Sequence, residues 1–469
     1  MIVLSLSVGL TWVLAAVLSL LDGRRRWVGW LSVAGLGAGF ASVVALAVQV
    51  FRTGPIEMVA GGWPEGVGVA LRADALGVAF TLVSCGVILV SLVYEVVGGV
   101  GSRTFPAVVL FLNSGLMGLF LTGDVFNFYV FFEVSMTAAY VLTGYRERDH
   151  QVRAAFIFAV VNLLGSVIFL VAIAALYHLT GSLDMPVVAE RIAEARPASA
   201  VFIGVAIFVA LSLKLGLFPF HFWLPAVYVG SHAPVSAILS GALANIGSYG
   251  LLRFHGGVLS ELSGLGTLVF LAMGSASIVY GALQAISRRS PVEVMAYSAI
   301  GQAGYILIAI GIGGPVGYAA AVVYAVVNSL NKMLIFLATG LRGPLVGAAF
   351  AVGAFSVAGV PPAAGFLGKL VLFRAGLSLQ GVLESAALVS LIFVGGALSF
   401  VYSFQVYQRI YVDPSGAAEV GDPSGKPSPT AMRLLVIFAA ALLVGAGLWP
   451  EPLLTLGEVA ADALRDGSS

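Results

Sequence analysis

Along this chain, runs of apolar residues long enough to cross a ~30 Å hydrocarbon core follow one another with only short polar breaks between them. Taken from the N-terminus they predict about fourteen helical spans, near residues 2–21, 27–50, 75–97, 104–122, 125–144, 152–178, 198–230, 233–253, 262–285, 292–312, 316–340, 347–374, 380–410 and 430–449. Connections this brief require the spans to form one compact bundle. Three longer polar segments stand out: Phe51 to Asp74 is Gly-rich and predicts a surface hairpin, Val187 to Arg196 a short amphipathic helix, and Asp413 to Pro429 a flexible loop. Ser290-Pro291-Val292-Glu293 has the spacing of a capping box with proline at the first helical position, which starts the tenth span. Two runs are broken from within, the seventh by Pro219 and Pro225 and the twelfth by Gly359, Pro361, Pro362 and Gly365. Proline there removes helical hydrogen bonds that lipid cannot replace, so the backbone at both breaks faces protein or water.

Composition agrees with a membrane protein. The chain is 60% hydrophobic and 10% charged, against about 25% charged in soluble domains, and no stretch is left over for a soluble catalytic domain. The first run, from Ile2, is followed by Arg24, Arg25 and Arg26 and lacks an upstream basic region or a small-residue cleavage site, so it reads as a retained span. A single cysteine, Cys85, excludes a disulfide framework or a cysteine-ligated cluster within the chain. With no P-loop for a nucleotide and no metal-ligand set, neither cofactor nor metal is expected. A net charge of +1 gives no reason to expect nucleic acid. If loops alternate from the Arg24–Arg26 side, that side also gathers Arg103, Arg146, Arg148, Arg153, Arg288, Arg289, Arg342, Arg409, Lys426 and Arg433. The opposite side holds fewer: Arg52, Arg72, Arg191, Arg196, Arg253, Arg374 and Arg465. The positive-inside rule then puts both termini outside.

Charge inside the spans changes the picture most. Lys214 sits in a run that from Ala198 to Gly230 holds no other charged side chain, and Lys332, Lys369 and Glu133 lie equally deep in apolar segments. Insertion costs about 2.5 to 3.5 kcal/mol for such a residue at a helix centre, so the four oppose insertion by something on the order of 10 kcal/mol. The plain alternatives are snorkelling of each lysine to the interface and a structural ion pair for Glu133. Lys332 has the longest reach, standing ten residues before Arg342. An intramembrane lysine beside a helix discontinuity, twice in one chain, is the pattern of an ion or substrate site in transporters with internal repeats, and half-chain symmetry fits spans 4 to 8 and 9 to 13. Lysine can give up and regain a proton where arginine cannot, so a glutamate and several lysines in a hydrated row can pass protons along. His221, His232, Asn245, Tyr249, Gln302 and Asn328 offer supporting relay positions, although a lone polar side chain in a span more often hydrogen-bonds a neighbouring helix.

The segments FNFYVFFEVSMTAAYVL, HLTGSLDM, LKLGLFPFHFWLPAVYVGSHAPVSAILSGALANIGSYGLLRF, SPVEVMAYSAIGQAGYI, NSLNKMLIFLATG and VAGVPPAAGFLGKLVLF resemble the proton-conducting antiporter-like subunits shared by respiratory complex I, membrane-bound hydrogenases and the Mrp multisubunit sodium/proton antiporters. The resemblance runs in order over residues 70 to 410. It implies an all-α integral membrane fold of fourteen helices with inverted five-helix repeats whose seventh and twelfth helices are broken. That divides the chain into N-terminal helices (1–103), a first repeat (104–254), a second repeat (261–411) and a closing loop, last helix and short tail (412–469). By resemblance Glu133 matches the glutamate of the fifth helix, Lys214 the lysine of the seventh, Lys332 that of the eleventh and Lys369 the twelfth-helix residue, all along a proton path on a hydrated central axis. Two positions depart from the pattern: Asn245 stands where many relatives have a bridging lysine, and Asn328 where they often have a histidine.

Length and motif wording are most similar to the D-type subunits of Mrp antiporters, because the chain ends too soon after the fourteenth span for a long lateral helix. The implied function is proton translocation within a multisubunit complex in a bacterial or archaeal cell membrane, with other membrane subunits as partners and a cation such as sodium exchanged for protons. A proton-pumping subunit of a complex I-like or hydrogenase redox complex, a stand-alone carrier of a small organic substrate and a non-conducting scaffold are the alternatives.

Overall fold

The computed structural model describes residues 2–59, 68, 70–194, 197–260, 263–412 and 429–466. The chain is helical almost throughout. In order the helices are α1 (Ile2–Ser19), α2 (Arg26–Thr53), α3 (Ala75–Gly98), α4 (Phe105–Phe120), α5 (Val125–Thr143), α6 (Asp149–Thr180), α7 (Met185–Ala193), α8 (Pro197–Leu215), α9 (Leu224–Gly230), α10 (Ala233–Ile238) and α11 (Asn245–Arg253). They continue with α12 (Ser263–Ser287), α13 (Pro291–Ile312), α14 (Gly314–Thr339), α15 (Pro344–Ala358), α16 (Gly365–Leu377), α17 (Val382–Tyr407), α18 (Thr430–Leu448) and α19 (Glu451–Asp466). Among the described residues eleven helical segments are long and apolar enough to cross a membrane, and Val3–Ser19, Phe105–Phe120 and Pro344–Ala358 are shorter apolar helices.

The polar segments fold much as their composition suggests. Ile56–Val59 (β1) pairs antiparallel with Ala70–Ala73 (β2), and Arg72 Nε lies 3.3 Å from Glu57 Oε1 across the pair. Asp184 caps α7 by accepting from Val187 N, and Met185, Val188 and Ile192 form the buried face of this short helix. Residues 195 and 196 of that segment, 60–67 and 69 between the strands, and 413–428 of the loop after the thirteenth span lie outside the described residues. The capping box at Ser290 is not formed. α13 does begin at Pro291, but the Ser290 side chain makes no cap bond and Glu293 is drawn to Arg288 Nη1 at 3.5 Å, because an ion partner on the preceding turn competes with the backbone donor. After the last span the chain turns into α19, which lays Ala460, Ala461 and Leu464 against α3 and α14, where the sequence suggests only a tail.

Burial sorts the bundle. α13, α14 and the segment Ala233–Val258 bury about nine-tenths of their most apolar windows inside the protein, whereas α2, α6, α17 and α18 leave most of theirs outward, facing lipid. The segment Ala233–Val258 is α10 and α11 joined and extended by two π-helical turns, Leu239–Leu243 and Phe254–Val258. Gly241 in the first of these sits where a Cβ would come 2.8 Å from Ser329 O, so a side chain there would push the segment off α14. α12 and α13 approach even closer, Gly274 and Gly281 lying against Gly304 and Gly301.

Both expected breaks are present. α8 stops at Leu215, Gly216 takes φ +73°, and α9 begins at Leu224. α15 stops at Ala358, Gly359 takes φ +84°, and α16 begins at Gly365. Groups released by the breaks are re-bonded within the protein: Trp223 Nε1 donates to Leu213 O at 3.0 Å, Phe218 N to Ser277 Oγ at 3.0 Å, Ala364 N to Leu443 O at 2.9 Å and Gly365 N to Ser356 Oγ at 2.9 Å. A Cβ on Gly365 would run into the Ser356 carbonyl. Gly365→Ala should therefore destabilise the protein by about 1–3 kcal/mol, the usual cost of overpacking, seen as a lower midpoint in thermal unfolding in detergent, whereas Gly445→Ala, which meets open space, should leave the midpoint in place.

Candidate functional site

Lys214, Lys332 and Lys369 are 6%, 2% and 4% exposed, so none of them snorkels to an interface. Lys214 occupies the last turn of α8, one residue from the break. Its ammonium donates to Asn162 O at 2.8 Å and Ser166 Oγ at 3.1 Å on α6, and stands 4.2 Å above the Phe132 ring. Glu133, on α5 next to Phe132, is close enough to feel the Lys214 charge but forms no ion pair with it among the described residues, and its buried Oε1 has no hydrogen-bond partner. The expected pair is thus drawn apart, with the lysine parked on a helix backbone.

Lys369 lies in α16 and reaches back across the second break. Its Nζ donates to Ala358 O, the last residue of α15, at 2.8 Å and lies 5.3 Å from the Tyr305 ring centre. Tyr305 adjoins Tyr324, whose hydroxyl donates to Gln302 Oε1 at 2.5 Å, and Gln302 Nε2 in turn donates to Tyr402 OH at 3.3 Å. Gln302 is therefore part of a buried chain of hydroxyls joining α13, α14 and α17.

Between these two breaks stands Lys332, on the central helix α14, which donates no hydrogen bond to a described residue. Asn331 Oδ1 and Asn328 Oδ1 beside it are buried without partners. One turn before it, Ser329 Oγ donates to Asn245 Oδ1 at 3.1 Å, while Asn245 Nδ2 donates to Ser84 Oγ on α3 at 3.0 Å and to Gly241 O at 3.2 Å. Asn245 thus ties three helices together next to Lys332.

The remaining positions divide. Tyr249 OH donates to Phe120 O at 3.0 Å and receives Arg253 Nε at 3.1 Å; it anchors an arginine rather than a lysine. His221 lies in the first break, its ring 4.4 Å from Tyr280 and its buried Nδ1 without a partner. His232 precedes α10, away from the lysines, with Nδ1 3.4 Å from Glu95 Oε2. Sequence reasoning passed over Glu95 and the Arg253–Asp74 pair, which is buried with 2.7 Å between Nη2 and Oδ2. Glu95 near the end of the apolar run VILVSLVYEVVG was the available signal. No group of three or more His, Cys, Asp or Glu side chains that could hold a metal ion occurs among the described residues.

Residues 122–342, which include Glu133, Lys214 and Lys332, match the family described as NADH:quinone oxidoreductase/Mrp antiporter, transmembrane. The chain is 27% identical to the D-type subunit of the Na(+)/H(+) antiporter of Alkalihalophilus pseudofirmus over 92% of its own length and 91% of that protein's. It is 30% identical to subunit N of the NADH-quinone oxidoreductase of Desulforudis audaxviator over 92% of its own length and 88% of that protein's. Its fold superimposes on a chain of the Mrp complex from Dietzia sp. DQ12-45-1b with a TM-score of 0.89 at 24% identity, over 99% of this chain and 98% of that one. A bundle with lysines buried at two helix breaks, aligned end to end with such relatives, belongs to the NADH:quinone oxidoreductase/Mrp antiporter family of integral membrane subunits.

Proposed function

We propose that this chain carries protons across the membrane as one subunit of a Mrp-type cation/proton antiporter, with Glu133, Lys214, Lys332 and Lys369 as the proton-transfer residues and sodium as a cation in exchange. The observation that carries this is the set of three buried amines with no carboxylate in ion-pair contact among the described residues. An ammonium enclosed by protein and locked to an acid would be a structural tie. An amine held only by a backbone carbonyl, or by nothing, can be met by a moving proton, and lysine can exist without its charge where arginine cannot. Glu133, with one oxygen unsatisfied near Lys214, is the group whose approach would favour the charged lysine and whose withdrawal would release it. The axis then runs Glu133 and Lys214, Lys332, Lys369. Asn245, Asn328, Gln302, His221, His232 and Tyr249 support it by holding hydroxyls, carbonyls and water.

Residues 104–254 and 261–411 form the two repeats in this reading, each with one broken helix. The arginine-rich loops lie on the cytoplasmic side of a bacterial or archaeal cell membrane and both termini lie outside. Other membrane subunits complete the complex. A second reading, a proton-pumping subunit driven by a redox partner, is favoured by the 30% identity to an NADH-quinone oxidoreductase chain. Purifying the intact complex decides between them: flavin and iron-sulfur chains mean the redox machine, small membrane chains the antiporter.

Three variants test the residues in vesicles holding the complete complex. Lys332→Arg keeps the charge but cannot release a proton, so ion-driven proton movement should fall by about 100-fold or more, as in Lys332→Ala, a loss expected of a missing proton carrier; activity kept by the arginine variant means a fixed charge. Glu133→Gln should stop transport while the complex still assembles, because the carboxylate oxygen it replaces makes no hydrogen bond. Asn245→Leu leaves the Ser84 hydroxyl without its partner and frees Ser329 to bond only Ala325 O, so it should cost about 1–3 kcal/mol in stability and block transport, whereas Asn245→Lys should transport.

A further inference from the structure

Helix α3 and the segment Ala233–Val258 run antiparallel through the centre of the bundle, and each shows the other a line of polar side chains. On the second the line is His232, Ser236, Ser240, Asn245, Tyr249 and Arg253. Steps of four keep these on one helical face, and the single step of five falls in the π-helical turn Leu239–Leu243, whose wider winding is what holds Asn245 in line with Ser240. On α3 the steps from Asp74 through Thr81, Ser84 and Ser91 to Glu95 keep one face in the same way. Asp74 meets Arg253, Ser84 meets Asn245 and Glu95 meets His232. All of these side chains are buried except His232, which is 33% exposed.

The two ends differ in kind. At one, Arg253 and Asp74 are locked at 2.7 Å and Asp74 also caps α3 through Gly77 N at 2.8 Å; arginine does not give up its proton, and its fixed charge repels another. At the other, every group around Glu95 donates and only Arg146 cannot give up its proton: Tyr145 OH donates to Oε1 at 2.8 Å, Arg146 Nη2 lies 3.2 Å from Oε1, His232 Nδ1 lies 3.4 Å from Oε2, and Tyr94 adjoins on the same helix. This end is on the arginine-rich face, and His232 is its opening to solution. Ser236 Oγ donates to Tyr228 O at 3.1 Å and Ser240 Oγ to Ser236 O at 2.6 Å, so both hydroxyls keep lone pairs for water. Steps of four residues at 1.5 Å rise put successive positions ~6 Å apart, a gap that one water bridges. At the middle, Asn245 holds Ser329, one turn from Lys332.

We propose that this seam is the intake by which protons reach Lys332: His232 with Glu95 loads them from the arginine-rich face, Ser236 and Ser240 pass them through water to Ser329, which Asn245 holds in place, and Arg253 with Asp74 plugs the seam beyond. His232 takes a proton from solution and releases one to the first water, each hydroxyl or water accepts one and passes one on, and a neutral Lys332 amine becomes an ammonium. The inference rests on the lysine reading above and adds the direction from which that lysine is filled.

The test is ion-driven proton movement by the whole complex in vesicles of either orientation, with the pH varied on one face at a time. In the wild type the rate should change with pH when the arginine-rich face is titrated and not when the opposite face is. His232→Arg keeps a cation opposite Glu95 but cannot release a proton, and it should abolish that dependence and lower the rate about tenfold or more, toward the cost of losing a placed proton carrier. Ser240→Val dries the middle of the seam without touching either charged end and should lower the rate as much at every pH. A wild-type rate and pH profile in both variants, with Lys332→Ala inactive, overturns the intake and leaves the lysine reading standing. Wild-type activity in Lys332→Ala sinks both.

Discussion

A carbonyl released inside a membrane-spanning helix has no water to bond, and at the second break of this protein that carbonyl, Ala358 O, is taken by the ammonium of Lys369. One contact thereby meets two obligations, a partner for the unwound backbone and a partner for a buried charge. The first break works differently. Lys214 turns away from the gap to a carbonyl of the unbroken α6, and the gap is closed by Trp223 and Ser277 instead. The two breaks are therefore alike in ingredients and unlike in wiring: one lysine rests on the backbone of its own break, the other on a neighbouring helix within reach of a carboxylate.

What surrounds the lysines is chosen to bond without charge. Asn245, Gln302, Tyr324, Ser329 and Tyr402 form amide and hydroxyl contacts that leave no fixed anion near Lys332 or Lys369. The buried carboxylates that do have cationic partners, Asp74 with Arg253 and Glu95 with Arg146 and His232, lie instead at the two ends of α3. Charge is thus paired at the margins, and neutral donors stand at the centre.

Much of this is legible along the chain because cost leaves marks. Pro219, Pro361 and Pro362 announce the broken helices, and Lys214, the one charged side chain from Ala198 to Gly230, marks a candidate site because burying it is costly. Glu95 escaped notice because its partners, Tyr145, Arg146 and His232, are brought to it by other helices and its run looks like any apolar span that ends in a charge. Arg253, at the end of a span, reads as a loop cation and is in truth buried against Asp74. The missing bond between Glu133 and Lys214 could not be foreseen either, because motif spacing tells which helices meet and not which way a flexible ammonium turns. Nor does any residue type mark the π-turn at Leu239–Leu243, within which Gly241 packs directly on α14.

The glycine contact between α12 and α13 has a mechanical consequence. With Gly274 and Gly281 lying on Gly304 and Gly301, and the Ile278 and Ile308 side chains pressed against these glycines, neither helix can roll or slide on the other without collision. The pair moves as a single strut, and the bundle yields more readily where helices are already severed, at residues 216–223 and 359–364, so compliance and charge are located at the same two places.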